Sequence, residues 1–117
     1  MKLAEVREIL KAEVLCGHER LSEEVNTACG ADLMSDVLAS KDEKSLLLTG
    51  LTNVQVVRTA EVLGDIICIV FVRGKEPGRE ILEMADSASI VVMKTDYPLF
   101  IACGLLYKNG LNCGSDF

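Results

Sequence analysis

The sequence predicts an α/β domain with a mostly parallel sheet flanked by helices, because three strand-then-helix units follow one another. Each unit opens with a short apolar run and continues into a segment whose apolar residues recur at helical spacing. The strand runs are continuously apolar instead of alternating, which is typical of parallel strands covered on both faces. The units read SLLLT then NVQVVRTAEVL, IICIVFV then PGREILEMA, and SIVVM then YPLFIACGLLY.

Each predicted helix of these units carries one apolar stripe that can cover the sheet. Pro77 and Pro98 stand in the first turns, where a missing amide hydrogen costs nothing. Gly110 is placed to end the last helix in a left-handed conformation. The stripes expected to be buried are Val56, Ala60 and Leu63; Ile81, Leu82 and Ala85; and Phe100, Cys103, Leu106 and Tyr107.

The N-terminal part of the chain has shorter elements. An amphipathic helix is predicted over 2–11, followed by a short strand over 13–16 and a second extended piece over 25–29. Another helix is predicted from Ala31 and ends before the charged loop SKDEK at 40–44. With 117 residues the chain suits one domain, so we expect a single domain over 1–110 and a loose C-terminal tail over 111–117.

The charge balance argues against two classes of partner. Twelve basic and 18 acidic residues give a net charge of -6, which repels phosphate backbones and anionic membrane surfaces. The longest apolar run, IICIVFV, is far shorter than a membrane span, and the N-terminus lacks the pattern of a signal peptide. We therefore expect a cytoplasmic protein that binds neither nucleic acid nor membrane.

The strand ends predict a ligand site. Right-handed crossovers bring the carboxyl ends of the three strands to one edge of the sheet, called the rim below, where helix N-termini also point their amides. Hydroxyl groups, two glycine turns and three cations follow the strands there, which favours a small anionic or nucleotide ligand. The alternative for each residue is capping, turn formation or solvation. The predicted ligand-binding residues are Thr49, Gly50, Thr52 and Asn53 after the first strand, Arg73, Gly74 and Lys75 after the second, and Lys94, Thr95 and Asp96 after the third.

Catalytic and metal motifs find no match. A P-loop requires G-x-x-x-x-G-K-[ST], but around Gly74-Lys75 the first position is Ile69 and the last is Glu76. No G-x-G-x-x-G, G-x-S-x-G or H-E-x-x-H occurs, and His18 is the only histidine. We predict no catalytic residue, no metal site and no cofactor.

Two sets of polar residues leave alternatives open. Asp32 and Asp36 are expected at i and i+4 on one helix, where they either bind a divalent cation or, as we favour, form a solvated acidic face. The five cysteines form no C-x-x-C pair, so reduced thiols are expected. Cys16 or Cys29 could serve a redox or catalytic role, although reactivity needs a depressed pKa.

Four blocks of the sequence carry a family resemblance. They are VNTACGADLMSDVLAS at 25–40, LLLTGLTNVQVVRTAEVL at 46–63, IVFVRGKEP at 69–77 and KTDYPLFIACGLLYKNGL at 94–111. Together they resemble the DRTGG domain family, and in particular its short stand-alone members. The pentapeptide that names the family is absent, and its nearest counterpart is Thr49-Gly50.

The resemblance implies an accessory α/β module that occurs alone, beside CBS domains in regulated pyrophosphatases, or within phosphate acetyltransferases, often at a dimer interface. Stand-alone relatives are sometimes labelled serine kinases of the phosphocarrier protein HPr, an activity not expected here without a P-loop. Association of other members with iron hydrogenase gene clusters implies a partner enzyme.

Two functional hypotheses follow. The first is a non-catalytic regulatory module that binds a small anionic or nucleotide ligand at the rim. The second is a homodimeric protein-interaction module without a ligand, an accessory to hydrogenase or other metabolic enzymes, with Met34 and Leu38 as exposed apolar residues.

Overall fold

The computed structural model describes residues 1–38 and 43–113, and within them five strands and five α-helices succeed one another. No helix in these two ranges is long and apolar enough to cross a lipid bilayer. The helices are α1 (Leu3–Leu10), α2 (Met34–Leu38), α3 (Val54–Leu63), α4 (Arg79–Ser87) and α5 (Leu99–Lys108). The strands are β1 (Glu13–Cys16), β2 (Thr27–Gly30), β3 (Ser45–Thr49), β4 (Ile66–Phe71) and β5 (Val91–Lys94).

The strands form one mixed sheet in the order β1-β5-β4-β3-β2. β2, β3, β4 and β5 are parallel, and β1 runs antiparallel to β5 at one edge. Successive right-handed crossovers that advance in one direction place their helices on the same face of a sheet. Accordingly α2, α3 and α4 cover one face, while α1 and α5 cover the other. The predicted fold class is confirmed.

Both faces of the central strands are buried, as the continuous apolar runs predict. Along β4, Cys68 and Val70 pack on the face of α1 and α5, whereas Ile69 and Phe71 pack on the face of α3 and α4. These four side chains have no exposed surface. A strand with a core on each side disfavours a polar residue at either alternate position unless that residue is hydrogen-bonded, which explains the absence of alternation in the sequence.

The predicted buried stripe of α5 is wrong at two of its four positions. Leu106 is buried and Cys103 is half-buried, but Phe100 is 85% exposed and Tyr107 is 69% exposed. Ala102 is the second fully buried residue of the helix. The reason is that α5 reads LFIACGLLYK, in which nearly every residue is apolar, so hydrophobic spacing does not select one face.

Element bounds near the N-terminus differ from the sequence predictions by a few residues. β1 matches its prediction, whereas β2 starts at Thr27 and α2 starts at Met34, later than expected. Met34 is half-buried against the α3 core, so it is not the exposed apolar residue that we expected. The side chain of Leu38 and most of the charged loop over 40–44 lie outside the described residues.

The segment beyond residue 110 begins packed against the domain instead of loose. Leu111 is buried, and the backbone amide of Ala28 in β2 donates to the carbonyl of Asn112 over 2.9 Å. Gly110, just past α5, has a φ of 104°, as the sequence predicts for a residue that ends the helix. Residues 114–117 of the predicted tail lie outside the described part of the chain.

Candidate functional site

The carboxyl ends of β3, β4 and β5 lie side by side at the rim. Thr49 is opposite Phe71 in the register of β3 and β4, and Phe71 is opposite Lys94 in β4 and β5. Backbone hydrogen bonds continue past the strand ends, from Val72 N to Thr49 O over 3.0 Å and from Thr95 N to Phe71 O over 2.9 Å. All three groups of predicted ligand-binding residues therefore share one edge of the sheet.

The loops that follow β4 and β5 are joined to each other. Arg73 N donates to Tyr97 O and Gly74 N donates to Thr95 O, each over 2.9 Å. Arg73 and Gly74 both have positive φ, 58° and 65°. A left-handed conformation costs a residue with a Cβ roughly 1 kcal/mol, so the two hydrogen bonds hold Arg73 in a conformation that it does not favour alone.

Asp32 lies two residues after β2, and its carboxylate accepts hydrogen bonds from the end of the neighbouring strand β3. Asp32 Oδ1 accepts hydrogen bonds from Thr49 Oγ1 (3.0 Å) and from Gly50 N (2.7 Å). Thr49 Oγ1 in turn accepts from Leu51 N (3.2 Å). The backbone amide of Gly50, one of the predicted ligand-binding residues, is thus bonded to a carboxylate of the chain itself. Because Asp32 precedes α2, the predicted i and i+4 pair with Asp36 on one helix is wrong.

The guanidinium of Arg73 lies against Gly50. A Cβ on residue 50 would stand 2.7 Å from Nη2 of Arg73, so only a glycine at this position leaves room for the guanidinium. Arg73 and Lys75 are exposed, and neither side chain has a hydrogen-bond or ion-pair partner among residues 1–38 and 43–113. These two cations are free to meet a ligand at the rim.

Asn53 and Thr95 have structural roles at the rim. Asn53 Oδ1 accepts from Gln55 N over 3.0 Å and caps α3. The buried Thr95 Oγ1 donates to Leu10 O over 2.7 Å and accepts from Tyr97 N over 3.3 Å. For these two residues the structure favours the capping and turn alternative over direct ligand contact.

Lys94 is engaged with a carboxylate. Its Nζ forms an ion pair with Glu76 Oε1 in the β4–α4 loop, and this hydrogen bond raises the pKa of Lys94. An exposed ion pair contributes little to stability, so a ligand can compete for Lys94. Thr52 is half-buried and Asp96 is exposed, and neither side chain forms a hydrogen bond or a salt bridge within the described residues, although the charge of Asp96 also helps to raise the pKa of Lys94.

A cavity of about 220 Å³ opens beside the β5 end of the rim, between the C-terminus of α1 and the β5–α5 loop. It contains two residues that the sequence analysis missed, Lys11 and Tyr97. Tyr97 comes directly after Asp96, so the sequence would have indicated it if the predicted loop after β5 had been taken one residue further. Lys11 reaches the rim only through the packing of α1, which no local pattern reports. The lining residues are Leu10, Lys11, Thr95, Asp96 and Tyr97.

Four of the thiols have a raised pKa, and the described residues contain no cluster that could hold a metal ion. Burial raises the pKa of Cys16, Cys29, Cys68 and Cys103, which lowers their thiolate fraction at neutral pH. In the described ranges, no three His, Cys, Asp or Glu side chains come together in a way that could hold a metal ion.

A solved structure shares this fold. It contains the CBS and DRTGG domains of the regulatory region of a Clostridium perfringens pyrophosphatase, complexed with its activator diadenosine tetraphosphate. The TM-score is 0.71 with 22% sequence identity, over 90% of this chain and 45% of the pyrophosphatase chain. This chain therefore spans less than half of that regulatory region. No curated protein matches the chain significantly.

The family comparison agrees with the architecture. The DRTGG domain model matches residues 5–106, which is most of the 117 residues and includes all five strands and every rim residue described above. The chain belongs to the DRTGG domain family.

Proposed function

We propose that this chain is a non-catalytic regulatory module that binds a small anionic or nucleotide ligand at the rim. The observation that carries the proposal is the placement of Arg73. Its exposed guanidinium lies over Gly50, and its backbone holds a left-handed conformation that costs energy. Strained residues persist where the surrounding structure holds them, and they cluster at ligand sites. The planar guanidinium matches a phosphate or carboxylate through two parallel hydrogen bonds.

Electrostatics favours an anion that contacts side chains more than amides. Arg73 and Lys75 are exposed cations of one loop in a chain of net charge -6, and within the described residues neither forms a hydrogen bond or an ion pair, whereas Lys94 at the same edge is paired with Glu76. The amides of Gly50 and Gln55 are already bonded to Asp32 and Asn53, and therefore do not form the nest of amides that a phosphate loop provides. Arg73 and Lys75 supply the recognition instead.

A nucleotide would use more of the rim than phosphate alone. The 220 Å³ cavity is below the roughly 300–1,000 Å³ typical of a whole-ligand site, so it suits one ring or sugar of a larger molecule. Tyr97 offers an aromatic surface for a base, and Asp96 offers a carboxylate for hydroxyl or amino groups. The diadenosine tetraphosphate bound to the pyrophosphatase regulatory region supports a nucleotide as the ligand class.

A non-catalytic role is consistent with the half-buried thiols. Burial raises the pKa of Cys16, Cys29 and Cys103, so none of these three is activated as a nucleophile. The 117 residues contain no P-loop, so HPr serine kinase activity is not part of the proposal. The module would act in the cytoplasm by changing the activity of a partner enzyme.

Thermal unfolding in the presence of nucleotides, diadenosine polyphosphates, pyrophosphate and phosphate tests the proposal. A ligand at one hundred times its dissociation constant adds about 2.7 kcal/mol of stability. For a chain of 117 residues this corresponds to a rise in Tm of about 10 °C. A larger rise with a nucleoside phosphate than with the matching inorganic phosphate would support the contribution of Tyr97.

Arg73→Gln should remove most of that rise, because glutamine keeps the length of the side chain but not its charge. Arg58→Gln is the matched control, since Arg58 is also exposed and lies on α3. The proposal fails if no compound shifts the Tm, or if Arg73→Gln and Arg58→Gln respond alike.

A second candidate function is a homodimeric interaction module that needs no ligand. The exposed aromatic residues of α5 are the observation that favours it, since Met34 is half-buried.

A further inference from the structure

The carboxylate of Asp96 lies between the loop that carries Arg73 and the cavity of about 220 Å³. A Cβ on Gly74, the residue after Arg73, would stand 3.1 Å from Asp96 Oδ1. Asp96 also lines the cavity together with Tyr97. The backbone hydrogen bonds from Arg73 N to Tyr97 O and from Gly74 N to Thr95 O hold the two loops in this arrangement. A ligand that extends from Arg73 into the cavity therefore meets Asp96.

The Asp96 side chain can accept hydrogen bonds from a ligand. It is exposed and forms no hydrogen bond or salt bridge within residues 1–38 and 43–113. Lys94, whose pKa the charge of Asp96 helps to raise, is bonded to Glu76 instead. An ionised carboxylate accepts hydrogen bonds and cannot donate them. The ligand group that meets Asp96 must therefore be a donor, such as a hydroxyl group.

The same end of the rim opposes a second anionic group on the ligand. Like charges in contact repel each other, and they do so more strongly at a protein surface than in bulk water. Glu13 lies opposite Lys94 in the register of β1 and β5, so it adds to the negative charge of Asp96 there. Lys11 on the cavity wall offsets only part of this charge. A single phosphate on Arg73 is thus favoured over a chain of phosphates that would reach Asp96.

We propose that the rim recognises a phosphate joined to a sugar, with the phosphate on Arg73 and a sugar hydroxyl on Asp96. This inference rests on the proposed function, because it names the ligand class of the same site and makes Asp96 the residue that sets its specificity. An acidic side chain that accepts from a ribose hydroxyl is also how dinucleotide-binding folds recognise ribose.

Two sources share this chemistry, and Tyr97 separates them. A nucleoside monophosphate would place its base in the cavity beside the Tyr97 ring, whereas a free sugar phosphate would use only Arg73 and Asp96. Tighter binding of a nucleotide than of ribose 5-phosphate assigns the site to nucleotides, and equal binding assigns it to sugar phosphates. Either result supports recognition of a phosphate joined to a sugar.

Isothermal titration calorimetry tests the proposal. The probes are the four ribonucleoside 5′-monophosphates, their 2′,3′-dideoxy counterparts, ribose 5-phosphate and inorganic tripolyphosphate. Loss of the sugar hydroxyls should weaken binding at least about 10-fold, the lower end for a hydrogen bond to a charged group. Tripolyphosphate should bind more weakly than the best ribonucleotide, because its additional charges meet Asp96.

Asp96→Asn separates specificity from a merely structural role, since asparagine keeps the size of aspartate and one acceptor oxygen but not the charge. The preference for ligands with sugar hydroxyls should largely disappear, while the affinity for tripolyphosphate should rise. A structural defect would weaken all ligands together. Asp86→Asn is the matched control, because Asp86 is exposed in the last turn of α4, at the opposite end of the sheet, and should leave every affinity unchanged. Circular dichroism verifies that both variants are folded.

Equal affinity of the wild-type chain for the ribonucleotides and their dideoxy counterparts overturns the inference. So does tripolyphosphate that binds more tightly than every monophosphate, or an Asp96→Asn variant that keeps the full preference of Asp86→Asn. These three results leave anion binding through Arg73 standing. Absence of binding by every phosphate compound overturns the proposed function together with this inference, so the two failures are distinguishable.

Discussion

Replacing Thr49 with Val tests how the ends of β2 and β3 are joined, because valine keeps the shape of threonine and removes its hydroxyl. Thr49 Oγ1 donates to Asp32 over 3.0 Å and accepts from Leu51 N over 3.2 Å, and the side chain is buried. A hydrogen bond to a charged group contributes about 1.5–3 kcal/mol, and a neutral one about 0.5–1.5 kcal/mol. Asp32 is exposed, so the lower ends apply, and the expected loss in unfolding free energy is about 2 kcal/mol.

The assay is equilibrium unfolding in urea, followed by far-UV circular dichroism because the chain has no tryptophan. For 117 residues, each kcal/mol lowers Tm by about 4 °C, so Thr49→Val should melt about 8 °C below wild type. Asp32→Ala should cost about as much, since it also removes the partner of Gly50 N. The double variant should lose less than the two single losses added, because both remove the same hydrogen bond.

Asp36→Ala is the control, since Asp36 is an exposed aspartate on the neighbouring helix and should change stability by no more than about 0.5 kcal/mol. Strict additivity of Asp32→Ala and Thr49→Val would refute the coupling. So would an Asp32→Ala variant as stable as Asp36→Ala.

Three further outcomes are expected. Gly17→Ala should destabilise the chain by more than Gly64→Ala, since both glycines have positive φ but only at Gly17 would a Cβ meet a backbone atom, Val91 Cα at 3.0 Å; equal losses of Tm would contradict this. Phe71→Ala should lower the free energy of unfolding in urea by about 3–5 kcal/mol, because the Phe71 ring is fully buried between the sheet and the helices α3 and α4. A decrease below about 1 kcal/mol would count against that packing. Iodoacetamide at neutral pH should modify the exposed Cys113 first and Cys68 only on unfolding, because burial raises the pKa of the Cys68 thiol and keeps the reagent away from it. Early modification of Cys68, detected by mass spectrometry, would contradict the burial of this thiol.

The rim could be predicted from local patterns combined with one rule of chain topology. Continuous apolar runs identify buried parallel strands, and the right-handed crossover then fixes which ends of those strands meet. Arg73 and Lys75 were predicted in this way because they lie in the loop that follows β4. Whether they bind a ligand stays a prediction. Asp32 follows β2 and obeys the same rule, but the expected early start of α2 placed it on a helix instead.

The sequence by itself determined the α/β class, the three central strands and the shared edge of their carboxyl ends, since each depends on short-range periodicity and on a chirality common to all L-polypeptides. Only the tertiary structure decided which polar groups are used within the chain. Asp32 occupies the Gly50 amide, Glu76 pairs with Lys94, and Leu10 accepts from Thr95, all across 18 residues or more. It also decided which side of α5 is exposed. Nearly every residue of that helix is apolar, so only the place where it packs on the sheet distinguishes a buried Leu106 from an exposed Phe100.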